Sequence, residues 1–274
     1  MSTTTSDLTG VSVSMQVFPI HSQIIRPKDD LTNMLVESMK KENLKFEDGD
    51  ILAIASKALS AADGRFVQLK KISPSEKAKK LAKKYSLAPE FVELILEESD
   101  RVYDGVYKAI LTLKNNILTV NAGIDQKNAP IGYVALWPLN PQNRANQIQN
   151  EIQQRLGKKI GVLIIDSQVA PLRIGTRGIA LAVSGFKPVN DLRGKKDLYG
   201  KELLITRHSV ADDLASAAHL IIGESDEKIP AVVIRDAPVV FTEENVNMDN
   251  MVISHEECVF MNGFNLSTNL GNRL

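Results

Sequence analysis

Apolar and polar residues alternate from Val11 to Ile20 (VSVSMQVFPI), the period of a strand with one buried face, and Pro19 closes it. Asp29 or Asp30 then caps a helix whose apolar stripe is Leu31, Met34, Leu35, Val36 and Met39. Ile51–Ala55 is a short all-apolar strand that runs on into Ser56–Arg65. Ser73-Pro74-Ser75-Glu76 predicts a helix start, with Ser73 as cap, Pro74 in the first position and Glu76 closing a capping box. Pro89 opens another helix, through Glu97. Tyr107–Leu113 and Ile117–Val120 read as a hairpin about Asn115-Asn116, a pair that tolerates positive φ.

Further on, Ile131–Leu136 is a strand candidate. Asn143–Leu156 is an amphipathic helix with Ile148, Ile152 and Leu156 inward, stopped by Gly157. Lys159–Ile165 and Gly178–Val183 are apolar runs of the kind buried on both faces. Asp191–Leu203 is a charged loop leading into Leu203–Thr206. Ser209–Asp212 is a second capping box, for an Ala-rich helix through Ile222, and Pro230–Arg235 is the last core strand. Strands and helices alternate irregularly, with one hairpin, which predicts an α+β fold with mixed and antiparallel sheets. Residues 1–10 read as a disordered lead-in, 11–236 as the folded region, and 237–274 as a C-terminal extension whose last stretch, from Asn262, is polar and mobile.

Composition narrows the function. The 274 residues carry 33 Lys+Arg and 33 Asp+Glu, so there is no basic excess for nucleic acid. The single Cys258 excludes an intrachain disulfide and a multi-cysteine metal site, as in a reducing cytoplasm. No apolar run approaches the ~18 residues of a spanning helix, so no membrane is expected. The four histidines (His21, His208, His219, His255) have no metal spacing; His219, on its helix, reads as packing.

The chemistry lies in three acidic segments. Leu118–Asn128 begins as strand and ends in a turn carrying Asp125; Ile165-Asp166-Ser167 and Gly223-Glu224-Ser225-Asp226 have a similar design. Each alone is an ordinary turn or cap. Together they form a set of hard oxygen donors suited to Mg²⁺ or Mn²⁺ beside a phosphate. Neither G-x-x-x-x-G-K-[ST] nor G-x-G-x-x-G occurs, so a nucleotide would need another cradle, with Lys57, Lys195, Lys196 and the amides near Gly223 as candidates.

At these residues the chain resembles the coenzyme F420-0:L-glutamate ligases, which add glutamate to a 5-deazaflavin coenzyme. The likeness runs from about Met15 to Arg235. It rests on Glu47-Asp48-Gly49-Asp50, Pro74-Ser75-Glu76, Leu96–Ser99, Asn121-Ala122-Gly123-Ile124-Asp125, Gly161–Asp166, Asp197–Gly200 with Glu202-Leu203, Val210-Ala211-Asp212 and Gly223-Glu224. The resemblance implies a two-domain fold in an intertwined homodimer, GTP as phosphoryl donor, Mg²⁺ or Mn²⁺ as metal and K⁺ as a further activator. It implies that the coenzyme precursor's lactyl carboxylate becomes an acyl phosphate, which L-glutamate attacks. Asp125 and Asp166 match one metal's ligands; Ser167 (usually Thr) and Glu224 match the second's. Ser22, Gln23, Ile24, Ser56, Lys57, Asn128, Gly223, Glu224, Ser225 and Asp226 match nucleotide contacts.

Three departures stand against this. His21-Ser22-Gln23 replaces a usual Gly-Leu-Pro, Ala61 replaces a lysine expected at the nucleotide phosphates, and Val169-Ala170 replaces Gly-Arg. Lys57 shares strand parity with position 61 and compensates for it if the strand extends that far. A divergent relative that binds nucleotide or deazaflavin without ligating, or that ligates another acid, is the alternative reading.

Overall fold

The structure, a computed structural model, describes residues 14–263. The lead-in at 1–10, the first part of the Val11–Ile20 strand and most of the polar tail lie outside the described residues.

In chain order, β1 (Gln16–Ile20) and α1 (Leu31–Lys41) precede β2 (Ile51–Ala55), which passes directly into α2 (Ser56–Ala62). Then come β3 (Phe66–Gln68), α3 (Glu76–Tyr85), α4 (Pro89–Glu98), β4 (Arg101–Val106), β5 (Ala109–Lys114), β6 (Ile117–Val120) and β7 (Tyr133–Ala135). The chain continues through α5 (Pro141–Leu156), β8 (Gly161–Val169), β9 (Thr176–Ser184), β10 (Asn190–Asp191), β11 (Arg207–His208), α6 (Val210–Ile222) and β12 (Ala231–Arg235).

A five-stranded sheet, ordered β1-β12-β2-β8-β9, is the centre. Only β2 and β8 are parallel neighbours; the other pairings are antiparallel. The apolar runs read from the sequence are buried on both faces. Leu52, Ile54, Val162 and Ile164 pack against α1 and α5, whereas Ile51, Ala53, Leu163 and Ile165 pack against α6. The Ala-rich face of α6 (Ala211, Ala215, Ala218) lets it lie close to β9, and a Cβ at Gly178 would overlap the Ala215 carbonyl. The α+β expectation with mixed and antiparallel sheets is therefore met.

Parallel neighbours need a long crossover. Here it holds a second core, in which α3 and α4 pack Ala82, Tyr85, Phe91 and Ile95 against Ile110, Ile124 and Val134. The three-stranded antiparallel sheet β4-β5-β6 belongs to this part. Asn115 and Asn116 both have positive φ at the β5–β6 turn, as expected.

Several local expectations need correction. The α3 cap is Ser75, two residues later than expected; its hydroxyl accepts from the Ala78 N–H while Glu93 accepts from the Ser75 N–H. Residues 56–62 are helix rather than strand. Leu156 is exposed, because α5 turns its last side chain past the sheet. Leu204 and Ile205 are exposed loop, although β10 and β11 pair across the base of that loop. Ser209 begins α6 without a side-chain cap, since its hydroxyl donates to Asp212, whose other oxygen accepts from the Ala180 N–H. Among the described residues no helix is long and apolar enough to cross a membrane.

Candidate active site

Because β2 and β8 are parallel, their C-terminal ends meet at one edge of the sheet, the edge at which open α/β sheets place ligands. Ala55 pairs with Ile165, so Ser56 and Lys57, which open α2 just past the end of β2, stand beside Asp166 and Ser167 on β8. β12 runs antiparallel to β2, which brings its leading turn, with Glu224, to the same edge. The crossover returns Asp125 there through paired backbone hydrogen bonds with Ala135.

All of these segments but the Glu224 turn wall a cavity of about 260 Å³, lined by Lys57, Ser60, Asp125, Trp137, Asp166 and Ser167 among others. The Lys57 ammonium lies 2.6 Å from Asp125 Oδ2. Burial works against that ammonium, but the Asp125 hydrogen bond and the charges of Asp125, Asp166 and Glu224 outweigh it and raise the Lys57 pKa. Asp166 is half-buried, and desolvation raises its pKa against the pull of the Ser167 N–H, the Trp137 indole N–H and Lys57. Its Oδ1 accepts from the Ser167 N–H at 2.8 Å and its Oδ2 from Trp137 Nε1. Glu224 is half-buried. Desolvation pushes its pKa up, yet hydrogen bonds from His219, Thr176 and Ser167 and the charge of Lys57 bring it down to about 2. Its Oε1 lies 2.9 Å from His219 Nε2 and accepts from Thr176 Oγ1 at 2.9 Å.

The segments matched to nucleotide contacts also meet. The Ser22 N–H donates to the Lys228 carbonyl at 3.0 Å, and Asn128 Nδ2 donates to the Ser225 carbonyl at 3.3 Å. Gly223 carries positive φ, and Glu227 accepts from the Ser225 N–H at 2.8 Å, which holds the turn. Ile24 is exposed beside Gln23.

Four site expectations change. Asp166 and Ser167 are not in a turn: β8 runs on to Val169, paired with β9 as Asp166 to Ile179 and Ser167 to Gly178. The change from apolar to polar side chains at Ile165 marks the end of burial rather than of the strand. His219 is not core packing but a partner of Glu224. Lys195 and Lys196 are exposed on the 190–208 arm and do not line the cavity. Lys57 and Ala61 do share a face, through one turn of α2 rather than through strand parity, but Lys57 is already paired with Asp125.

Trp137, Thr176, His219 and Ser60 were missed as site residues. His219 precedes Glu224 by little more than a helical turn, a spacing that could have found it. Thr176 arrives only through the β8–β9 register, which has no local signal. Ser60 Oγ is buried without a hydrogen-bond partner and lines the cavity. An orphaned hydroxyl facing a cavity is a group set for a ligand.

The donor set suits a hard divalent cation: carboxylates from Asp125, Asp166 and Glu224 and the Ser167 hydroxyl. Among the described residues no three His, Cys, Asp or Glu side chains are already grouped to hold a metal ion. Asp125 is instead paired with the Lys57 ammonium, whose charge also acts on Asp166 and Glu224.

Fold and site together define an α+β protein with a carboxylate-bearing cleft, in which Lys57 pairs with Asp125, at the edge of its parallel strand pair. The chain belongs to the F420-0:Gamma-glutamyl ligase family, whose model matches residues 19–236. A coenzyme F420:L-glutamate ligase of Archaeoglobus fulgidus is 38% identical over 222 residues, covering 81% of this chain and 87% of the relative. The protein of that name from Methanopyrus kandleri is 40% identical over 212 residues (77% and 82%). The one from Methanocaldococcus jannaschii is 40% identical over 217 residues (79% and 86%).

Proposed function

We propose that the protein is a GTP-dependent amide ligase that joins L-glutamate to the lactyl carboxylate of coenzyme F420-0. The observation that carries this reading is the Lys57–Asp125 ion pair beside Asp166 and Ser167 in one cavity, which also holds an unpartnered Ser60 hydroxyl. In the reaction a carboxylate oxygen of the substrate takes the γ-phosphoryl group of GTP, releasing GDP and leaving an acyl phosphate. The glutamate amine then attacks the acyl carbon, forms the amide, and releases phosphate and a proton. Such chemistry asks for positioning and charge neutralisation more than for covalent work by the protein.

Asp125, Asp166, Ser167 and Glu224 would hold Mg²⁺ or Mn²⁺, which supplies charge neutralisation at the triphosphate. Lys57, drawn from Asp125 toward phosphate, adds a positive charge when the nucleotide arrives. The loop at Ser22, Gln23 and Ile24, with Ser56, Asn128 and the Gly223–Asp226 turn, cradles the nucleotide; the Ser22–Lys228 and Asn128–Ser225 hydrogen bonds support this grouping. K⁺ is a further activator in this reading. The separate cores of the sheet and the crossover support a two-lobed region over 11–236. Exposed Leu172, Ile174, Leu198 and Ile205 support a homodimer, since a monomer seldom leaves so many large apolar side chains in water. The cytoplasm is the compartment this chemistry implies.

The test is a ligation assay read by mass spectrometry, with the glutamate-free deazaflavin coenzyme, L-glutamate, GTP, Mn²⁺ and K⁺. A gain of one or more glutamyl units with matching GDP is the expected result. The small Ala61 at a position where the resemblance expects lysine favours a second reading, a relative that binds without ligating. Saturable GTP binding by calorimetry with no product would select it.

A further inference from the structure

Trp137 is the chain's only tryptophan and is almost fully buried, yet its indole N–H points at a charged oxygen. Four separate contacts fix it. Arg65 Nε donates to its carbonyl at 3.2 Å. The Lys114 ammonium stands 5.7 Å from its ring centroid, and that ammonium is itself anchored to Glu98 at 2.5 Å, as Arg65 is at 3.2 Å. On the ring's other contact, Gly123 (φ 70°) lies so close that a Cβ there would overlap the indole. Last, the indole Nε1 donates to Asp166 Oδ2, while the backbone N–H of Ser167 holds Oδ1. A cation near an indole π-system draws electron density from the ring and makes the N–H a stronger donor.

We propose that Trp137 is a positioning residue that sets the Asp166 carboxylate for cation binding, with Gly123 and the Arg65–Glu98–Lys114 cluster as its mount. The inference rests on the metal-site reading of Asp166. An indole N–H can only donate, so it fixes one carboxylate oxygen and the rotation about the Cβ–Cγ bond, and leaves the remaining lone pairs for a cation. The same contact makes the lone indole a built-in reporter. A cation arriving at Asp166 changes the field at the ring, so native tryptophan emission shifts over the range in which the site fills.

The test uses the whole chain and Mn²⁺ alone. Because Trp137 is the single tryptophan, biosynthetic replacement by benzothienylalanine changes one residue and puts sulfur where the N–H stands. Mn²⁺ binding is followed by paramagnetic resonance of the free ion, and native indole emission is followed in parallel. The expected result is an Mn²⁺ dissociation constant raised about tenfold or more in the isostere, the range seen when an outer partner of a metal ligand is removed. Native emission should shift along the same isotherm. An isostere that is folded by circular dichroism and binds Mn²⁺ within twofold of native overturns the inference while the metal site stands. Should native protein itself show no saturable Mn²⁺ binding, the metal-site reading fails and the inference falls with it. Trp137→Phe provides the same comparison if the isostere does not fold. In turnover, a positioning role raises the KM for Mn²⁺ and leaves the KM for GTP at saturating Mn²⁺ within about twofold, which a general packing defect would not do.

Discussion

The two walls of the cleft differ in what holds them. Lys57, Asp166, Ser167 and Thr176 stand on or just beyond strands laddered into the central sheet, whose side chains are buried on both faces. Asp125 and Asn128 stand on a turn tied down by two backbone hydrogen bonds to Ala135, the Lys57 ion pair and one bond to Ser225. On the sheet wall the Asp166 carboxylate is half-buried, its pKa is raised by desolvation, and its position is set by the Trp137 and Ser167 N–H groups. The Asp125 side chain is about one-quarter exposed and is held by Lys57 on one oxygen and by the Lys127 N–H on the other. A sheet wall that carries both Asp166 and the Lys57 cation, faced by a turn held through a few polar contacts, makes a site whose turn side can adjust while the sheet side keeps its register. Local stability that differs across a site is what such adjustment requires.

The contrast predicts unequal responses. Ile164→Ala removes a fully buried side chain from β8 and should cost about 2–5 kcal/mol of stability, read from denaturant midpoints. Ile131→Ala, on the fully exposed end of the turn wall, should stay within about 0.5 kcal/mol of the parent. Similar losses in both would mean that the turn wall is as firmly packed as the sheet.

Next in size is Asp125→Ala. It leaves every strand pairing untouched, but removes the Lys57 partner and a proposed cation ligand. Turnover should fall by about 10²–10³, as when a preorganised electrostatic group is deleted from a reaction centre, while the unfolding midpoint moves little. Near-parental turnover would remove Asp125 from the chemistry.

The sheet wall was the more legible in sequence, for the same physical reason that makes it rigid. Ile51–Ala55 and Gly161–Ile165 are continuous apolar runs because both faces are covered, and such runs announce themselves. The Asn115-Asn116 turn was equally plain, since two adjacent residues at positive φ restrict the choice of side chain. What escaped was set by tertiary contact. Residues 56–62 begin in the manner of a strand continuing from β2, and their small side chains suit either state; the space beneath the sheet edge selects helix. Ser73 and Ser75 are both competent caps, and the Glu93 carboxylate, which arrives from α4, favours Ser75. In the site, all three carboxylates were legible as a set because each follows an apolar run. Trp137 and Thr176 were not, because their roles depend on a hydrogen bond and a strand register formed across distant segments.

Smaller effects test the adjustable wall. Asn128→Ala deletes the bond to the Ser225 carbonyl, a neutral hydrogen bond at 3.3 Å on an exposed turn. A loss of about 1 kcal/mol corresponds to about a fivefold rise in the KM for GTP, with kcat unchanged if the residue only shapes the cradle. A kcat loss of the same size would place Asn128 in contact with the reacting groups.

The smallest expected effect concerns Glu224, which accepts from Ser167 and Thr176 of the sheet wall and pairs with His219 on α6. Its folded pKa, about 2, lies below its ordinary 4.5, so the folded state favours its ionised form. That preference stabilises the protein above about pH 4.5 and is lost as pH falls through about 2, because below both values the carboxyl is protonated whether or not the chain is folded. The side chain is partly exposed and its pairing is screened by solvent, so the stabilisation is at most about 1 kcal/mol. In Glu224→Gln the metal-free protein should therefore lose a little stability at neutral pH. Its curve of stability against pH should be flatter than the parent's between about pH 4.5 and 2, with the two converging at the acid end. Parallel curves over that interval would mean that Glu224 carries no special ionisation, and the contrast between the walls would then rest on Asp166 and Asp125 alone.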